Sequence, residues 1–300
     1  CARALLEVGA EVDKAGPQGW TALMFASDGN HELCARALLE AGAQVDKVGP
    51  QGWTALMFAG VGNHELCARA LLEAGAQIDA ASKAGETSLM KACKNGHELV
   101  ARALLEAHAN LEAVQKDGFT ALMFSCQNGH ELCARELIKA KANLEAQQHQ
   151  GFTALMVSAQ NGHEHVARAL LEAGAEVDKT DNEGFTPLMS SCERGHDLVA
   201  RALLKAGTAV DAANEDGSTA LMLACRDNHE LCARALLEAN ARVDAADDEG
   251  WTALMYAVHD GHELCARELI KAKANLEAQQ HQGFTALMVS AQNGHEHVAR

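Results

Sequence analysis

Long apolar runs are missing from this 300-residue chain, whose uninterrupted stretches are of the size of Leu23 to Ala26, Leu-Met-Phe-Ala. A helix needs roughly 20 apolar residues to cross a bilayer, so no segment reads as membrane-spanning. Basic charge is also scarce: 25 Lys and Arg stand against 41 Asp and Glu, a net charge of −16. Affinity for nucleic acid rests largely on Lys and Arg displacing counterions, and an acidic chain repels phosphate backbones and anionic lipid. DNA, RNA and membrane surfaces are therefore not expected partners. The first residues do not read as a signal peptide either. The chain opens at Cys1, and Cys1 to Glu7 repeats Cys34 to Glu40, which reads as a fragment of a longer array.

Apolar residues make up 48% of the sequence, enough to bury a core, so the chain is no disordered polyanion. Its ten cysteines fit no disulfide framework, because a core of this size needs no staples and cysteine usage is irregular. A reducing setting, cytoplasmic or nuclear, is the expectation.

One signal dominates what is present. Thr-x-Leu-Met occurs at Thr21, Thr54, Thr87, Thr120, Thr153, Thr186, Thr219, Thr252 and Thr285, always 33 residues apart, with no insertion or deletion. We expect one array of complete units at 16–48, 49–81, 82–114, 115–147, 148–180, 181–213, 214–246 and 247–279, with partial units at 1–15 and 280–300 and no polar cap at either end. Within a unit, Thr21 is placed to cap a short helix from Ala22 to Ser27. Asp28, Gly29 and Asn30 break it. A second helix is expected from about His31 to Ala41, with Leu33, Cys34, Ala37 and Leu38 on its buried face, and Gly42 supplies the left-handed residue that ends it.

On that helix Glu32 and Arg36 stand four apart, a pairing of about 0.2–0.5 kcal/mol that returns from Glu65/Arg69 to Glu296/Arg300, with Asp197 once in place of Glu. Two such short helices cannot bury their apolar faces alone. Units must stack, and stability becomes a sum over units and their neighbours. At roughly 10 Å per layer, eight units predict a rod of roughly 80 Å.

Gly184, Phe185, Thr186, Pro187, Leu188 and Met189, followed by Gly195, His196, Leu203, Leu204, Ala206 and Gly207, resemble the ankyrin-repeat pattern of Gly-x-Thr-Pro-Leu-His, Gly-His, Leu-Leu and Gly-Ala at period 33. The resemblance covers the whole chain and implies an all-α solenoid of stacked helix-turn-helix units with protruding loops. Two departures stand out: proline survives at the motif position only in Pro187, and the family's motif histidine is methionine in every copy, Met24 to Met288, which together are all the methionines. That histidine links neighbouring loops in the family, so packing of a flexible thioether is expected to replace a polar link.

Candidate chemistry was weighed against the repeat. His31 and Cys34 form His-x-x-Cys, repeated at His64/Cys67, His130/Cys133, His229/Cys232 and His262/Cys265, a spacing that suits soft metals. The cysteine slot, however, is valine at Val100, Val166, Val199 and Val298, as a small apolar core position would be. Cys93, Cys126, Cys192 and Cys225 share their slot with Ser27, Gly60, Ala159, Val258 and Ala291, the pattern of tight interhelical packing. Cys126 with Cys133, or Cys225 with Cys232, are the thiols the repeat brings near one another, but neither pair has a base beside it. His108 occupies a slot where other units, such as those of Gly42 and Gly75, have glycine, which makes it a strained helix-ending residue. His149, His165, His281 and His297 are two duplicated pairs, and His259 belongs to the solvent side. The acidic clusters Asp178/Asp181/Glu183, Asp211/Glu215/Asp216 and Asp244/Asp247/Asp248/Glu249 lack EF-hand spacing and read as solvated turns. Without a glycine-rich phosphate loop or a catalytic triad, we expect no catalytic residue, metal, cofactor or small-molecule substrate.

The resemblance implies that ligands meet a groove formed by loop tips and first helices, and that the residue before the motif Thr varies with the partner. Here that residue is Trp20, Trp53, Phe119, Phe152, Phe185, Trp251 or Phe284, with Glu86 and Ser218 in the other two units. An aromatic row at such a slot has the composition of interface anchors; the competing reading is that each ring packs on the next loop and stiffens the array. Phe25, Phe58, Phe124 and Tyr256, five residues further on, are expected to fill the first-helix layer, with Lys91 and Ser190 marking that slot as partly exposed. Loop tips change from the neutral Pro17-Gln18 and Pro50-Gln51 to the acidic Glu215-Asp216 and Asp248-Glu249. The expected partner is an extended or helical protein segment with basic residues facing Asp216, Asp248 and Glu249. Alternatives are the targeting arm of a larger protein, whose enzyme or channel domain lies elsewhere, and a mechanical spacer. Finally, Gly129 to Arg168 and Gly261 to Arg300 are identical, so the array was copied in blocks, and sequence beyond Arg300 is expected to continue the repeat.

Overall fold

The computed structural model describes residues 2–295; Cys1 and the repeat positions Glu296, His297, Val298 and Arg300 lie outside the described residues. Regular structure among the described residues is helical throughout, with no strand. The chain divides into two compact units at the junction of His149 and Gln150.

The first unit contains α1 (Ala2–Glu7), α2 (Ala22–Asp28), α3 (Glu32–Glu40), α4 (Ala55–Gly62), α5 (Glu65–Glu73), α6 (Ser88–Lys94), α7 (Glu98–Glu106), α8 (Ala121–Gln127) and α9 (Glu131–Lys139). The second contains α10 (Ala154–Gln160), α11 (Glu164–Glu172), α12 (Pro187–Glu193), α13 (Asp197–Lys205), α14 (Ala220–Arg226), α15 (Glu230–Glu238), α16 (Ala253–His259), α17 (Glu263–Lys271) and α18 (Ala286–Asn293). In both units each short first helix packs on its own second helix, and first helices pack on first helices and second on second along the stack.

Local chemistry explains each boundary. The motif Thr is extended, and in every repeat but that of Thr54 its Oγ1 accepts the amide of the Met three residues on, at 3.3 Å for Thr21, Thr87 and Thr120. In α6, α10, α12 and α14 the methionine sulfur returns the bond by accepting the Thr amide, at 3.5 Å in Thr87 and Met90. The methionines of these four helices thus retain a polar function as well as filling the core. Pro187 takes the first helical position, where no amide is required. Gly42 ends α3 with φ +83° while its amide and that of Ala43 reach back to Leu39 and Leu38, and His108, at φ +65°, carries the expected strain in the equivalent slot.

The second helix differs from expectation at one residue. Leu33 is 80% exposed, and Leu66, Leu99, Leu132, Leu198, Leu231 and Leu264 follow it to the surface. In α5 the buried stripe is Cys67, Ala68, Ala70 and Leu71, and Leu66 lies at its solvent edge. The Glu/Arg pairs run along the surface as foreseen, but Arg36 and Arg69 also reach the next repeat, at 2.7 Å to Glu73 and 2.9 Å to Glu106.

Three further ties join neighbouring repeats within each unit. The His that begins a second helix donates a ring N–H to a carbonyl at the end of the preceding first helix: His64 to Ser27 and His97 to Val61 at 2.7 Å, His196 to Gln160 at 3.1 Å, and His229 to Glu193 at 3.0 Å. An acidic side chain accepts an amide 31 residues on, as in Asp79 with Asn110 and Asp211 with Arg242, both at 2.8 Å. Loop tips bond edge to edge through the backbone, as from Lys83 to Gln51 at 2.8 Å and from Asp248 to Asp216 at 3.1 Å.

The residue 34 positions before each of these histidines is left-handed, Asn30 for His64 and Asn63 for His97 but glycine for His130. Gly96 has φ +76°, and a Cβ there would stand 2.6 Å from Nδ1 of His130, whereas Gly75, at φ +82°, has open space around it. Both Gly→Ala changes carry the left-handed penalty of about 1–2 kcal/mol. Gly96→Ala is expected to cost more than Gly75→Ala in urea denaturation, because it also displaces the His130 ring; equal losses would remove this role for the ring.

Candidate partner-binding face

The loops position the aromatic slot by closing on themselves. Gly16 N–H donates to the carbonyl of Trp20, and Gly49 N–H to that of Trp53, each at 2.8 Å, so each Trp stands at the end of its loop beside the Thr cap. In the second unit Asp247 does this with its side chain: Oδ1 accepts the amides of Glu249 and Trp251 at 3.0 and 2.8 Å, while Oδ2 accepts the Tyr256 hydroxyl at 2.6 Å. Burial and this acceptor together push the Tyr256 hydroxyl pKa upward, holding it protonated.

In the first unit the rings form a connected chain of contacts. Trp20 lies 4.9 Å from Phe25 and 4.3 Å from Phe58, and Trp53 lies 5.0 Å from Phe58, between ring centroids. The Lys91 ammonium covers Trp53 at 3.9 Å and meets Glu86 at 2.6 Å. Lys94 meets Glu86 at 3.3 Å and lies 5.1 Å from the Phe124 centroid, which is 5.4 Å from Phe119. Trp20, Trp53 and Phe119 are half-buried. Each residue is therefore braced by its neighbours and still partly exposed. Glu86, Lys94, Asp117, Phe119 and Phe124 line a shallow cleft of about 330 Å³.

In the second unit Trp251 packs at 5.3 Å on Tyr256 and edge-on, at 5.5 Å, to His259. Phe152 and Phe185 are half-buried and Phe284 is exposed. Asp216, Asp248 and Glu249 are exposed at tips joined by the backbone bonds from Asp248 to Asp216 and from His281 to Glu249. Most other aspartates of the acidic clusters are structural, whereas Glu183 and Glu215 are exposed. Asp178, Asp211 and Asp244 accept amides of the following repeat, and Asp181 caps its own loop. Among the described residues no group of three or more His, Cys, Asp or Glu side chains is arranged to hold a metal ion.

One slot departs from expectation. Phe58 and Phe124 are buried and Tyr256 half-buried, but Phe25 is 59% exposed. Lys91, read as partly exposed, is 4% exposed, and Ser190 is buried as well. The reason for Lys91 is the double partner: Trp53 takes the face of its charge and Glu86 its hydrogen bond. The signal was in the sequence, since Glu86 and Lys91 both break their columns in the same repeat, five residues apart.

The chain matches the family described as Ankyrin repeats (3 copies) over residues 1–82, 44–114, 89–181, 133–214, 173–247, 201–280 and 241–300. It belongs to the ankyrin-repeat family. Among solved structures it is similar to the human ASB11 ankyrin repeat domain, with 27% identity and a TM-score of 0.67, covering 74% of this chain and 99% of that one. No curated protein sequence matches it. Ankyrin repeats are a general protein–protein interaction fold and typically a non-catalytic one. No described helix is long and apolar enough to cross a membrane.

The Lys91 site generates a pH prediction. Burial raises the Glu86 carboxyl, but the hydrogen bond and charge of Lys91, with Lys94 beside it, outweigh burial and hold it below its ordinary value of 4.5. A depressed folded-state pKa contributes stability that is present above 4.5 and lost as pH falls through the folded value. Glu86→Gln is expected to lose about 3 kcal/mol at neutral pH by leaving the Lys91 ammonium buried without its anion. It should also flatten this part of the stability–pH profile in denaturant titrations. A wild-type slope retained in the variant would assign the titration to other carboxylates.

Proposed function

We propose that this ankyrin-repeat chain is a protein-binding scaffold that holds a partner polypeptide along its loop tips and first helices. The observation that carries the reading is the braced, half-open state of the aromatic slot. Trp20, Trp53 and Phe119 are held in place by ring or cation neighbours while part of each ring remains accessible, as anchors require if they are to bury area without losing much rotamer freedom. In the second unit Trp251 is braced by Tyr256, and Phe152, Phe185 and Phe284 occupy the same slot. Asp216, Asp248 and Glu249 supply negative potential at the tips, which suits a basic segment of the partner and speeds encounter more than it deepens affinity.

Nucleic acid and anionic membrane are disfavoured as partners by the net charge of −16. No catalytic role is assigned, and the free cysteines fit a cytoplasmic or nuclear setting.

Affinity capture from a native lysate tests the reading, with wild-type protein compared to a variant carrying Trp20→Ala, Trp53→Ala, Phe119→Ala and Trp251→Ala, the fold of each checked by circular dichroism. Proteins retained by the wild type alone support the face. Equal retention moves the site elsewhere, and no specific retention favours a spacer. For a retained partner, Asp216→Asn, Asp248→Asn and Glu249→Gln together are expected to slow association and weaken its salt dependence.

A further inference from the structure

Two loop tips of the first unit have the same sequence, Gly-Pro-Gln-Gly-Trp, at 16–20 and 49–53. Their backbones close alike. Gly16 and Gly49 donate to the carbonyls of Trp20 and Trp53 at 2.8 Å, and Gly19 and Gly52 reach back to Gly16 and Gly49 at 3.1 and 3.2 Å. Gln18 and Gln51 are both left-handed, with φ of 72° and 57°. The difference lies in how each tip meets the next. Lys83 N–H ties the third tip to the second by donating to the Gln51 carbonyl at 2.8 Å. The equivalent donor for the Gln18 carbonyl is residue 50, and Pro50 has no N–H to give.

This rung is present between every other pair of adjoining tips within each unit, for example from Lys116 to Ala84 at 3.3 Å in the first and from Asn182 to Gln150 at 3.1 Å in the second. Among the described residues no backbone hydrogen bond joins the first tip to the second. The second-helix side of the same junction is tied as elsewhere: His64 donates to the Ser27 carbonyl at 2.7 Å, Asp46 accepts the Gln77 amide at 2.8 Å, and Arg36 meets Glu73 at 2.7 Å.

A second bond is missing on the tip side. Thr54 Oγ1, buried where the second tip enters α4, has no hydrogen-bond partner, and the Met57 amide turns to the Thr54 carbonyl at 3.1 Å. What spans the two tips is the contact of Trp20 with Phe58, 4.3 Å between centroids, while the Met24 sulfur lies close against Gly49. Ring pairs hold over centroid separations of about 4.5–7 Å, whereas an N–H···O bond weakens beyond about 3.2 Å. The first junction can therefore widen at its tips without losing its attraction, as a junction with a rung cannot.

We propose that residues 16–20 form a flap that opens from the second tip and lifts Trp20 from Phe58, while the second-helix side of the junction stays closed. Opening is local, since it breaks no bond between the helices. The motion requires no partner. Under the partner-binding reading above, on which this consequence alone rests, Trp20 is the anchor that adjusts, and Trp53, behind the Lys83 rung and under the Lys91 ammonium, is the anchor that stays.

Hydrogen exchange of the full chain, resolved to single amides, tests the flap against its twin. Protection at Gly16 and Gly19 is expected to be lower than at Gly49 and Gly52 by about fivefold, the factor that one net hydrogen bond supplies, while the amides of α3 stay protected. Pro50→Lys should remove the difference by restoring the rung, lysine being native to this slot at Lys83 and Lys116. Lys83→Pro should move the weak protection to Gly49 and Gly52. With Trp53→Phe and Trp251→Phe leaving Trp20 as the one emitter, acrylamide quenching should fall when Pro50→Lys is added. Equal protection at the two tips would overturn the proposal, as would protection and quenching that ignore Pro50→Lys. So would exchange at α3 as fast as at the first tip, which is fraying of the whole repeat.

Discussion

The ring N–H that each second-helix histidine gives to the carbonyl of the repeat before it is the bond on which the stacking depends. Neither helix of a repeat is long enough to be stable by itself, so every repeat takes its conformation from a neighbour. The histidine fixes how that neighbour approaches. It ties the start of one helix to the end of another, His97 to Val61 for example, and the ring of His130 lies close over the backbone of Gly96. A neutral hydrogen bond of this kind contributes only about 1 kcal/mol net. Its importance lies in repetition and registry: ring and carbonyl recur 36 or 37 residues apart, and an inserted residue would shift one against the other. The absence of any insertion or deletion across the sequence is the visible result.

That dependence also explains which features could be read from the residues alone. Thr21 as a cap, Gly42 as a helix end and Glu32 with Arg36 as a surface pair are local, each decided within four residues, and the structure places them as the pattern implies. Leu33 and Lys91 are decided by what lies across the stack. Leu33 has helical spacing consistent with a buried stripe, yet the neighbouring helix covers the residues after it and leaves the leucine in solvent. Lys91 carries a charge that argues for exposure, yet Trp53 of the previous repeat and Glu86 of its own loop make the interior acceptable.

The aromatic slot shows how one column of residues serves two ends. Ring contacts of 4.3 to 5.5 Å stiffen adjacent loops, and a stiff anchor loses little freedom when a partner covers it. Stiffening and recognition therefore support each other here. The acidic residues divide differently: Asp178, Asp211 and Asp244 are spent inside the stack as acceptors for backbone amides, while Asp216, Asp248 and Glu249 remain at the tips, available to a partner. Similar residues in one loop have separate tasks according to which amide they face.

The edge-to-edge bonds between loop tips, such as Lys83 to Gln51 and Asp248 to Asp216, carry a mechanical consequence. Every tie found within a unit reaches only the adjoining repeat, so tension applied to the chain strains the terminal contact before any interior one. Under load a unit peels from its end, and each repeat that lets go frees 33 residues, about 110 Å of contour at full extension. Such a chain lengthens in steps of uniform size and rewinds by the same contacts in reverse order.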